Sequence, residues 1–346
     1  MKIAIHKDLN PYSYSRYWME YCIVNSIPYK MVNAFDSDII EQLNDCDIFM
    51  WHHYQVDPKA YNVAKQILFS LEEAGKIVFP DFRTGWHFDD KLGQKYLFEA
   101  LGIKAAKAYS FFDKKTAYDW VKKTSYPKVF KLRGGAGSYN VALIKSKNQA
   151  CRYIRKAFGK GFNSYDSLLR VRHAIRDLFN GSMGIKHLLA TMYLYVFPNK
   201  TTHLPKQREY IYFQEFIPND GFDYRVEVCG DKAIALVRYC RKGDFRASGG
   251  HNDHFDKDLI PKDVIKFAFE IVDKLKSQSS ALDIVRNKET GELFLVENSY
   301  CYGIDADEFE HGYWDRDANW HNEAFNGIYW MIEYVINQYK EKYERN

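Results

Sequence analysis

The 346-residue sequence lacks long apolar runs, paired cysteine motifs and a strong excess of charge of either sign. No apolar run approaches the ~20 residues that a membrane-spanning helix needs, so no membrane span is expected. The six cysteines include no C-x-x-C pair, which argues against a zinc site or a disulfide framework and predicts free thiols. A formal charge of +4, scattered along the chain, is too weak to indicate nucleic-acid binding.

Several common catalytic motifs are also missing. The sequence has no G-x-S-x-G elbow, no H-E-x-x-H pair and no Walker A loop, because its glycine-rich turn is not followed by Gly-Lys-Ser/Thr. The first residues, MKIAIHKD, are typical of a strand and not of a signal peptide. These absences predict a globular, cytoplasmic protein.

Strand and helix patterns alternate at the beginning of the chain. Continuous apolar strands at 2–6, 47–51 and 77–80 are separated by helical patterns at 14–27 and 58–74. Such strands predict a parallel sheet covered by helices on both faces, with ligands bound near the carboxyl ends of the strands.

The pattern changes further along the chain. A helix is predicted at 86–101 and another at 165–179, within a stretch that is mostly helical. Successive strands follow at 210–216, 223–229 and 233–240, which is typical of an antiparallel sheet. The predicted fold class is therefore α/β, changing to α+β in the C-terminal half.

A lysine precedes the glycine-rich turn. Lys131 ends a predicted strand and is followed by Gly134-Gly135-Ala136-Gly137-Ser138. Glycines let backbone N–H groups approach phosphate oxygens closely, and a lysine on the preceding strand adds a point charge. An ordinary tight turn explains the same glycines, so both interpretations stay open at this point.

An apolar strand ends in a polar pair at Gln214 and Glu215, followed by Phe216 and Ile217. Backbone groups at such a strand end can bind the edge of an adenine ring in an apolar pocket. The alternative is simple polarity of an edge strand.

Cations cluster around the strands that follow. Arg225 lies in Asp223-Tyr224-Arg225, and Arg238, Arg241, Lys242 and Arg246 come later in the chain. Together they could stabilise a transferring phosphoryl group and anchor a carboxylate. A solvated basic face is the alternative.

Two carboxylates form the sharpest pattern. Asp283 and Glu297 each lie among apolar residues, on strands joined by a hairpin turn at 287–291. Their nearly equal distance from the turn puts both side chains on one face of the hairpin. They would repel each other without a cation between them, and Mg²⁺ with phosphate oxygens fits that need. Pairing of one carboxylate with a core arginine is the competing explanation.

Together these residues resemble the ATP-grasp superfamily. The matching segments are Asp90-Lys91 with Leu101-Gly102-Ile103, Pro127 to Lys131, Gln214 to Ile217, Asp223 to Val226, and the carboxylates Asp283 and Glu297. The resemblance covers most of the chain beyond residue 85. It implies a parallel-sheet N-terminal domain (1–104), an ATP-lid subdomain (105–215) with a helical insertion at about 156–207, and a C-terminal subdomain (216–346), with ATP clasped between the last two.

The resemblance also implies roles for individual residues. Those expected to bind ATP are Lys91, Lys131, Gly134, Gly135, Gly137, Ser138, Gln214, Glu215, Phe216 and Ile217. Those expected to hold Mg²⁺ are Asp283, Glu297 and Ser299, the last standing where the superfamily usually has Asn. Those expected to act in catalysis are Arg225, Lys242 and Arg246, with Arg246 holding the acceptor carboxylate.

The C-terminal part resembles a bacterial subgroup associated with cell-surface polysaccharide gene clusters. The resemblance lies in Asp244 to Gly250, Val296 to Tyr300, Gly312 to Asp315, and Trp320-His321. It implies a carboxylate–amine ligase that forms an amide through an acyl phosphate, joining an amino acid or amine to a sugar carboxylate. A ligase acting on a peptide or protein terminus, a phosphoryl transferase for another acceptor, and an ATP-binding module without turnover remain as alternatives, and the sequence leaves the oligomeric state open.

Overall fold

The protein is described here from a computed structural model. The structure describes residues 1–10, 12–54, 57–135, 140–164, 171, 174, 175, 178, 184–197, 205–241, 243–247, 252–303 and 311–343. Gly137, Ser138, Lys242 and nearly all of the helix predicted at 165–179 lie outside these residues.

The first sheet has four parallel strands in the order β2-β1-β3-β4. Its strands are β1 (Ile3–His6), β2 (Tyr29–Val32), β3 (Ile48–Met50) and β4 (Ile77–Phe79). Its helices are α1 (Ser15–Val24), α2 (Ile39–Gln42), α3 (Pro58–Glu73) and α4 (Phe82–Gly85). The prediction of a parallel sheet is confirmed. The sequence analysis missed β2, an edge strand whose side chains are mostly half-buried.

Both faces of the first sheet are buried. Ile3 and Ile5 point to one face, where they pack with Trp18 of α1 and with the C-terminal helix. Ala4 and Phe49 point to the other face and pack against α3. Burial on both sides explains why these strands are continuously apolar in the sequence.

The second sheet is antiparallel, with the strand order β5-β8-β6-β7. Its strands are β5 (Ala108–Phe111), β6 (Lys128–Lys131), β7 (Ala142–Ile144) and β8 (Ile211–Glu215). The helices of this part are α6 (Lys114–Val121), α7 (Lys147–Ala157) and α8 (Ile185–Val196). Apolar residues of α6 and α7, including Val121 and Ile154, pack on Phe130 and Phe213 of the sheet.

The third sheet is antiparallel and has seven strands among the described residues. They are β9 (Phe222–Cys229), β10 (Lys232–Tyr239), β11 (Asp253–His254), β12 (Ser279–Arg286), β13 (Leu293–Ser299), β14 (Tyr313–Asp315) and β15 (Trp320–His321). The order is β13-β12-β9-β10-β14-β15, and β11 also pairs with β10. The remaining helical elements are α5 (Lys91–Ala100), a 3₁₀ turn (Lys257–Leu259), α9 (Lys262–Leu275) and α10 (Gly327–Tyr343).

The two faces of the third sheet differ in chemistry. Tyr224, Val226 and Val228 of β9 point to an apolar core filled by α9, and Phe98 of α5 packs there too. The opposite face of the same strands carries charged side chains, among them Asp223, Arg225 and Asp283. This division leaves a polar surface facing the second sheet.

The helix predicted at 86–101 begins five residues later, at Lys91. The side chain of Asp90 accepts a hydrogen bond from Gly93 N at 2.9 Å and so caps the first turn. This cap fixes Lys91 at the first helical position.

The division of the chain into three parts, with boundaries after residues 104 and 215, remains a proposal. Each part contains one of the three sheets, although α5, in the first part, packs on the third sheet.

No helix in the described part of the chain is long and apolar enough to cross a membrane. All six cysteines are free thiols, as the sequence predicted.

Candidate active site

A cavity of about 300 Å³ lies where the second and third sheets meet. Its lining is partly apolar, with Ala106, Val129, Phe216, Ile217, Phe222, Val285 and Val296. The rest is strongly charged, with Asp89, Lys91, Lys131, Asp223, Arg225, Arg246, Asp283 and Glu297. The fold therefore gathers into one cavity residues that are up to about 200 positions apart in the sequence.

The end of β8 joins the two sheets. Gln214 is buried, and its Nε2 donates hydrogen bonds to Val296 O at 3.3 Å and Ala106 O at 3.4 Å. The carboxylate of Glu215 accepts from Lys128 Nζ at 2.8 Å and from Tyr109 OH at 3.0 Å. Edge-strand polarity is the wrong explanation for this pair, because β8 lies between β5 and β6.

Lys131 is a buried cation at the end of β6. Its side chain lines the cavity, yet among the described residues no carboxylate lies within 4.0 Å of Nζ. Burial lowers the pKa of Lys131, and the attraction of Glu297 and Asp283 at longer range only partly offsets this effect. A buried ammonium group without a bonded counter-charge is suited to bind an anion.

Lys91 connects three parts of the site. Its Nζ lies 2.9 Å from Glu297 Oε1 and 3.7 Å from Asp89 Oδ1, and it donates a hydrogen bond to Gly135 O at 3.1 Å. Burial alone would lower the pKa of Lys91, but Glu297 and Asp89 outweigh it and raise the pKa above its usual value. Lys91 is therefore held as a cation between the glycine turn and β13.

Asp89 was not predicted from the sequence. Its carboxylate accepts a hydrogen bond from the backbone N–H group of Gly135 in the glycine turn. Gly135 N donates to both carboxylate oxygens of Asp89, at 2.7 and 2.9 Å. A Cβ at Gly134 would lie 2.8 Å from Asp89 Oδ2, so a larger residue there would displace the Asp89 carboxylate from its present position. Asp89 itself has a left-handed backbone with φ of 51°. Its place beside the Asp90-Lys91 pair was the only signal in the sequence.

We expect Asp89→Asn to bind ATP more tightly than the wild type. The Asp89 carboxylate would repel a phosphate charge ~8 Å away by ~2 kcal/mol at an effective dielectric of ~20, and Asn removes this repulsion. Because Asn also accepts a weaker hydrogen bond from Gly135 N, part of the gain is lost, and we expect affinity to increase on the order of fivefold. Asn also tolerates the left-handed backbone. Calorimetric titration with ATP tests this, and equal or weaker binding by a folded Asp89→Asn variant would contradict it.

The same contact predicts a pH dependence of binding. Burial raises the pKa of Asp89 in the nucleotide-free protein, and phosphate charge nearby would raise it further. Binding should therefore take up a proton, so that affinity falls as the pH rises through the pKa of Asp89. Titrations in buffers of different ionisation enthalpy measure this uptake. It should be smaller in Asp89→Asn, which also controls for protons bound by the nucleotide itself.

Asp283 and Glu297 lie directly opposite each other on β12 and β13. A bulge at the next pair, where Ile284 faces Leu295, leaves this register intact. Directly paired residues of antiparallel strands project to the same side of the sheet, so the predicted shared face is confirmed. Ser299 faces Ala281 one step further along the same side.

Asp283 is also part of a buried ion-pair network. Its Oδ1 accepts from Arg225 Nε at 3.0 Å and NH2 at 2.9 Å, and its Oδ2 lies 2.8 Å from Arg238 NH2. Arg238 also binds both oxygens of Asp223 at 2.8 Å. Burial would raise the pKa of Asp283, but Arg225 and Arg238 outweigh it and lower the pKa. The competing explanation, a carboxylate paired with a core arginine, thus describes Asp283 in this structure.

The donor set of this face nevertheless fits a hard cation. The carboxylates of Asp283 and Glu297 point to the same side of the sheet. Ser299 Oγ donates its hydrogen to Cys301 O at 2.7 Å, and its oxygen lone pairs could therefore bind a cation. Within the described ranges, no further Asp, Glu, His or Cys completes a three-membered metal-binding group there. Mg²⁺ is commonly held by one or two carboxylates with phosphates and water supplying the rest, which matches this arrangement.

Arg246 lines the cavity with its charge already partnered. Its Nε donates to Asp244 Oδ1 at 2.9 Å and its NH2 to Oδ2 at 2.6 Å. Phe245, between them, contacts the ring of Phe216 at 6.2 Å between centroids. Sequence analysis missed the role of Asp244, although Asp244-Phe245-Arg246 repeats the Asp-aromatic-Arg pattern of residues 223–225 and could have indicated it.

Comparisons with known proteins agree with this geometry. No protein-family model matches the chain. The α-aminoadipate–LysW ligase LysX of Saccharolobus solfataricus is 21% identical over 250 residues, which are 72% of this chain and 74% of that protein.

Solved structures resemble the chain over nearly its full length. D-alanine–D-alanine ligase from Bacillus anthracis, complexed with ATP, has a TM-score of 0.58 at 12% identity and covers 99% of both chains. A RimK-domain ATP-grasp protein from Sphaerobacter thermophilus has a TM-score of 0.53 at 14% identity, over 88% of this chain and 92% of that one. The chain therefore has the ATP-grasp fold, as the sequence predicted.

Proposed function

We propose that this protein is an ATP- and Mg²⁺-dependent ligase that joins a carboxylate to an amine. The observation that carries the proposal is the single cavity in which buried Lys131, the Lys91–Glu297 pair and the Arg225–Asp283 pair lie beside an apolar strand end. An apolar part for a base next to a cationic part for phosphates is what a nucleoside triphosphate requires. Two similar proteins, LysX and D-alanine–D-alanine ligase, are named as ligases.

The proposed roles follow from the contacts. Phe216, Ile217 and the apolar residues around them would hold the adenine, with Gln214 and Glu215 fixing the end of the strand. Lys131 and Lys91 would bind phosphate oxygens, together with the N–H groups of the glycine turn. Gly137, Ser138 and Lys242 keep their predicted roles as proposals, since they lie outside the described residues.

Asp283 and Glu297, with Ser299 as the weaker third oxygen, would hold Mg²⁺. The ion would shield the negative charge of the phosphates when it is bound. Arg225 and Lys91 now neutralise these carboxylates, and they would contact phosphate oxygens once the carboxylates bind another cation.

The proposed reaction has two balanced steps. A carboxylate oxygen of the acid bonds to the γ-phosphorus of ATP while the bond to the bridging oxygen breaks, giving an acyl phosphate and ADP. The amine nitrogen then attacks the acyl carbon, phosphate leaves, and the amide nitrogen loses a proton. The acid is already ionised at neutral pH and needs no general base. It does need cations near the triphosphate, which Arg225 and Arg246 supply.

The acid we propose is a sugar carboxylate, and the amine an amino acid or simple amine. This finer assignment rests on the resemblance of residues 244–250 and 312–315 to the polysaccharide-associated subgroup. A second candidate is a ligase that joins an amino acid to a peptide or protein terminus, which the similarity to the α-aminoadipate–LysW ligase favours. A panel of uronic acids, sugar-linked acids, amino acids and peptides separates the two.

We expect Arg246→Ala to lose acid-stimulated ADP release by on the order of a hundredfold while keeping its ATP affinity, because the acceptor carboxylate loses its cation. Arg286→Ala is the control, since Arg286 also pairs with a carboxylate, through NH2 donating to both oxygens of Asp263 at 2.8 and 2.9 Å, and lies outside the cavity. Hydroxylamine, offered in place of the amine, should be trapped as a hydroxamate of the active acid. Phosphate found on a substrate hydroxyl, with no hydroxamate formed, would replace the ligase proposal with a phosphoryl transferase.

A further inference from the structure

The charge of the chain is concentrated in one segment. Residues 145–208 contain 13 Lys and Arg against two Asp and no Glu, a net charge of +11. The rest of the chain therefore carries a net charge of −7, since the whole has +4. The overall charge of +4, which was too weak to indicate nucleic-acid binding, conceals this asymmetry.

Nine basic side chains of this segment are described, and they are exposed without a described counter-charge. The nine that the structure describes are Lys145, Lys147, Arg152, Arg155, Lys156, Lys160, Lys186, Lys206 and Arg208. All nine are exposed, and none forms an ion pair with a described residue. On α7 the apolar side chains Ala150, Ile154 and Ala157 pack inward, so Arg152, Arg155 and Lys156 project into solvent.

Helix α8, in the same segment, exposes large apolar side chains. Those of Ile185, Leu189, Met192, Tyr193, Tyr195, Val196 and the following Phe197 are 46–63% exposed. The helix has no acidic residue and no fully buried one. Scattered apolar side chains are ordinary on a protein surface, whereas seven within 13 consecutive residues mark an interaction site.

The segment leaves the lid and returns to it at one place. Phe162 and Gln207 exchange backbone hydrogen bonds at 2.8 and 2.9 Å, and Ser164 Oγ donates to Pro205 O at 2.7 Å. Helix α8 lies between these two points of the sequence, so it can contact a partner while the sheet of the lid keeps its hydrogen bonds.

We propose that the exposed cations of residues 145–208 and the apolar side chains of α8, together called the insertion surface, bind the surface of an anionic lipid bilayer. The cations match acidic headgroups, and the aliphatic and aromatic side chains match the boundary between headgroups and acyl chains. An acidic polymer without apolar groups would use the cations but leave the apolar side chains of α8 in water, whereas the bilayer accounts for both features. Twelve residues of helix span ~18 Å, too short for a hydrocarbon core of ~30 Å, so α8 would lie along the surface.

The test is co-sedimentation of the full chain with vesicles of phosphatidylcholine alone or mixed with phosphatidylglycerol. We expect binding to the mixed vesicles only, weakened by salt. Arg152→Glu with Lys156→Glu, and separately Leu189→Ser with Tyr193→Ser, should each reduce affinity on the order of tenfold or more. All of these residues lie outside the proposed catalytic cavity, so ATP binding should not change.

Matched controls come from elsewhere on the surface. Lys262→Glu with Lys266→Glu reverses the same number of exposed charges on α9, and Ile40→Ser with Tyr61→Ser removes exposed apolar groups from the first domain. Both should bind vesicles as the wild type does. Absence of binding to anionic vesicles, or equal binding by all variants, would overturn the proposal.

Two other occupants give different results. Binding to polyglutamate that needs Arg152 and Lys156 but not Leu189 and Tyr193, with no vesicle binding, would assign the surface to an acidic polymer. A self-association lost in Leu189→Ser with Tyr193→Ser, again without vesicle binding, would assign it to a second copy of the chain.

Discussion

Asp283→Asn is expected to abolish ADP formation, by on the order of a thousandfold or more, while the fold persists. The side chain is buried at the centre of the network with Arg225 and Arg238, opposite Glu297. Asn keeps the shape but removes the negative charge that would bind Mg²⁺, and it leaves two arginines with only Asp223 to neutralise them. Coupled detection of ADP at saturating Mg²⁺ measures the effect.

The control for this prediction is Asp263→Asn. Asp263 also pairs with an arginine, at 2.8 Å from Arg286 NH2, but it lies exposed in the first turn of α9, outside the cavity lining. It should keep the wild-type rate. Near-wild-type ADP formation by a folded Asp283→Asn variant would contradict the metal-binding role. It would show that the Asp283 carboxylate serves only to pair with Arg225 and Arg238.

Lys131→Met should have opposite effects on stability and on nucleotide binding. Removing this buried cation relieves a desolvation cost that the attraction of Glu297, Asp283 and Asp223 does not fully offset, so the melting temperature of the nucleotide-free protein should rise by several degrees. ATP affinity should fall on the order of a hundredfold, because a charge-assisted contact to phosphate is lost. The rise in melting temperature on adding ATP should shrink accordingly.

The pKa shift of Lys131 gives the sign of a further effect. A lysine whose pKa is lowered in the folded state destabilises the protein fully below that lowered pKa, and this cost falls as the pH rises from the lowered value to the ordinary pKa of a lysine in the unfolded chain. The stability difference between Lys131→Met and the wild type should therefore narrow at alkaline pH. Lys115→Met, on an exposed lysine paired with Asp119, should change neither stability nor ATP binding much. A lower melting temperature for Lys131→Met would refute the electrostatic account.

Periodicity in the sequence predicted most of the elements, since apolar strands and helical stripes are local signals. The register of Asp283 and Glu297 was predictable because both positions are counted from one hairpin turn. The edge strand β2 and the two- or three-residue strands β14 and β15 were missed, because short half-buried strands carry little pattern.

The partners of the charged residues were less predictable. That Arg238 binds both Asp223 and Asp283 depends on how β10, β9 and β12 lie side by side. The contact of Asp89 with Gly135 depends on a left-handed backbone at Asp89. Neither arrangement leaves a periodic trace, so the sequence indicated several of the charged residues that line the cavity, but neither Asp89 nor which residues neutralise one another.

Opposite charges in and directly behind the cavity are equal in number among the described residues. The cations are Lys91, Lys128, Lys131, Arg225, Arg238 and Arg246, and the anions are Asp89, Glu215, Asp223, Asp244, Asp283 and Glu297. Such a cleft projects little net field into solvent, so electrostatic steering of an anionic nucleotide should be weak. The association rate of the nucleotide should therefore depend little on ionic strength. Its dissociation, by contrast, requires that Lys91 and Arg225 leave the phosphates and pair again with Glu297 and Asp283. Nucleotide affinity in this protein would then be set by exchange of ion-pair partners inside the cleft rather than by attraction from a distance.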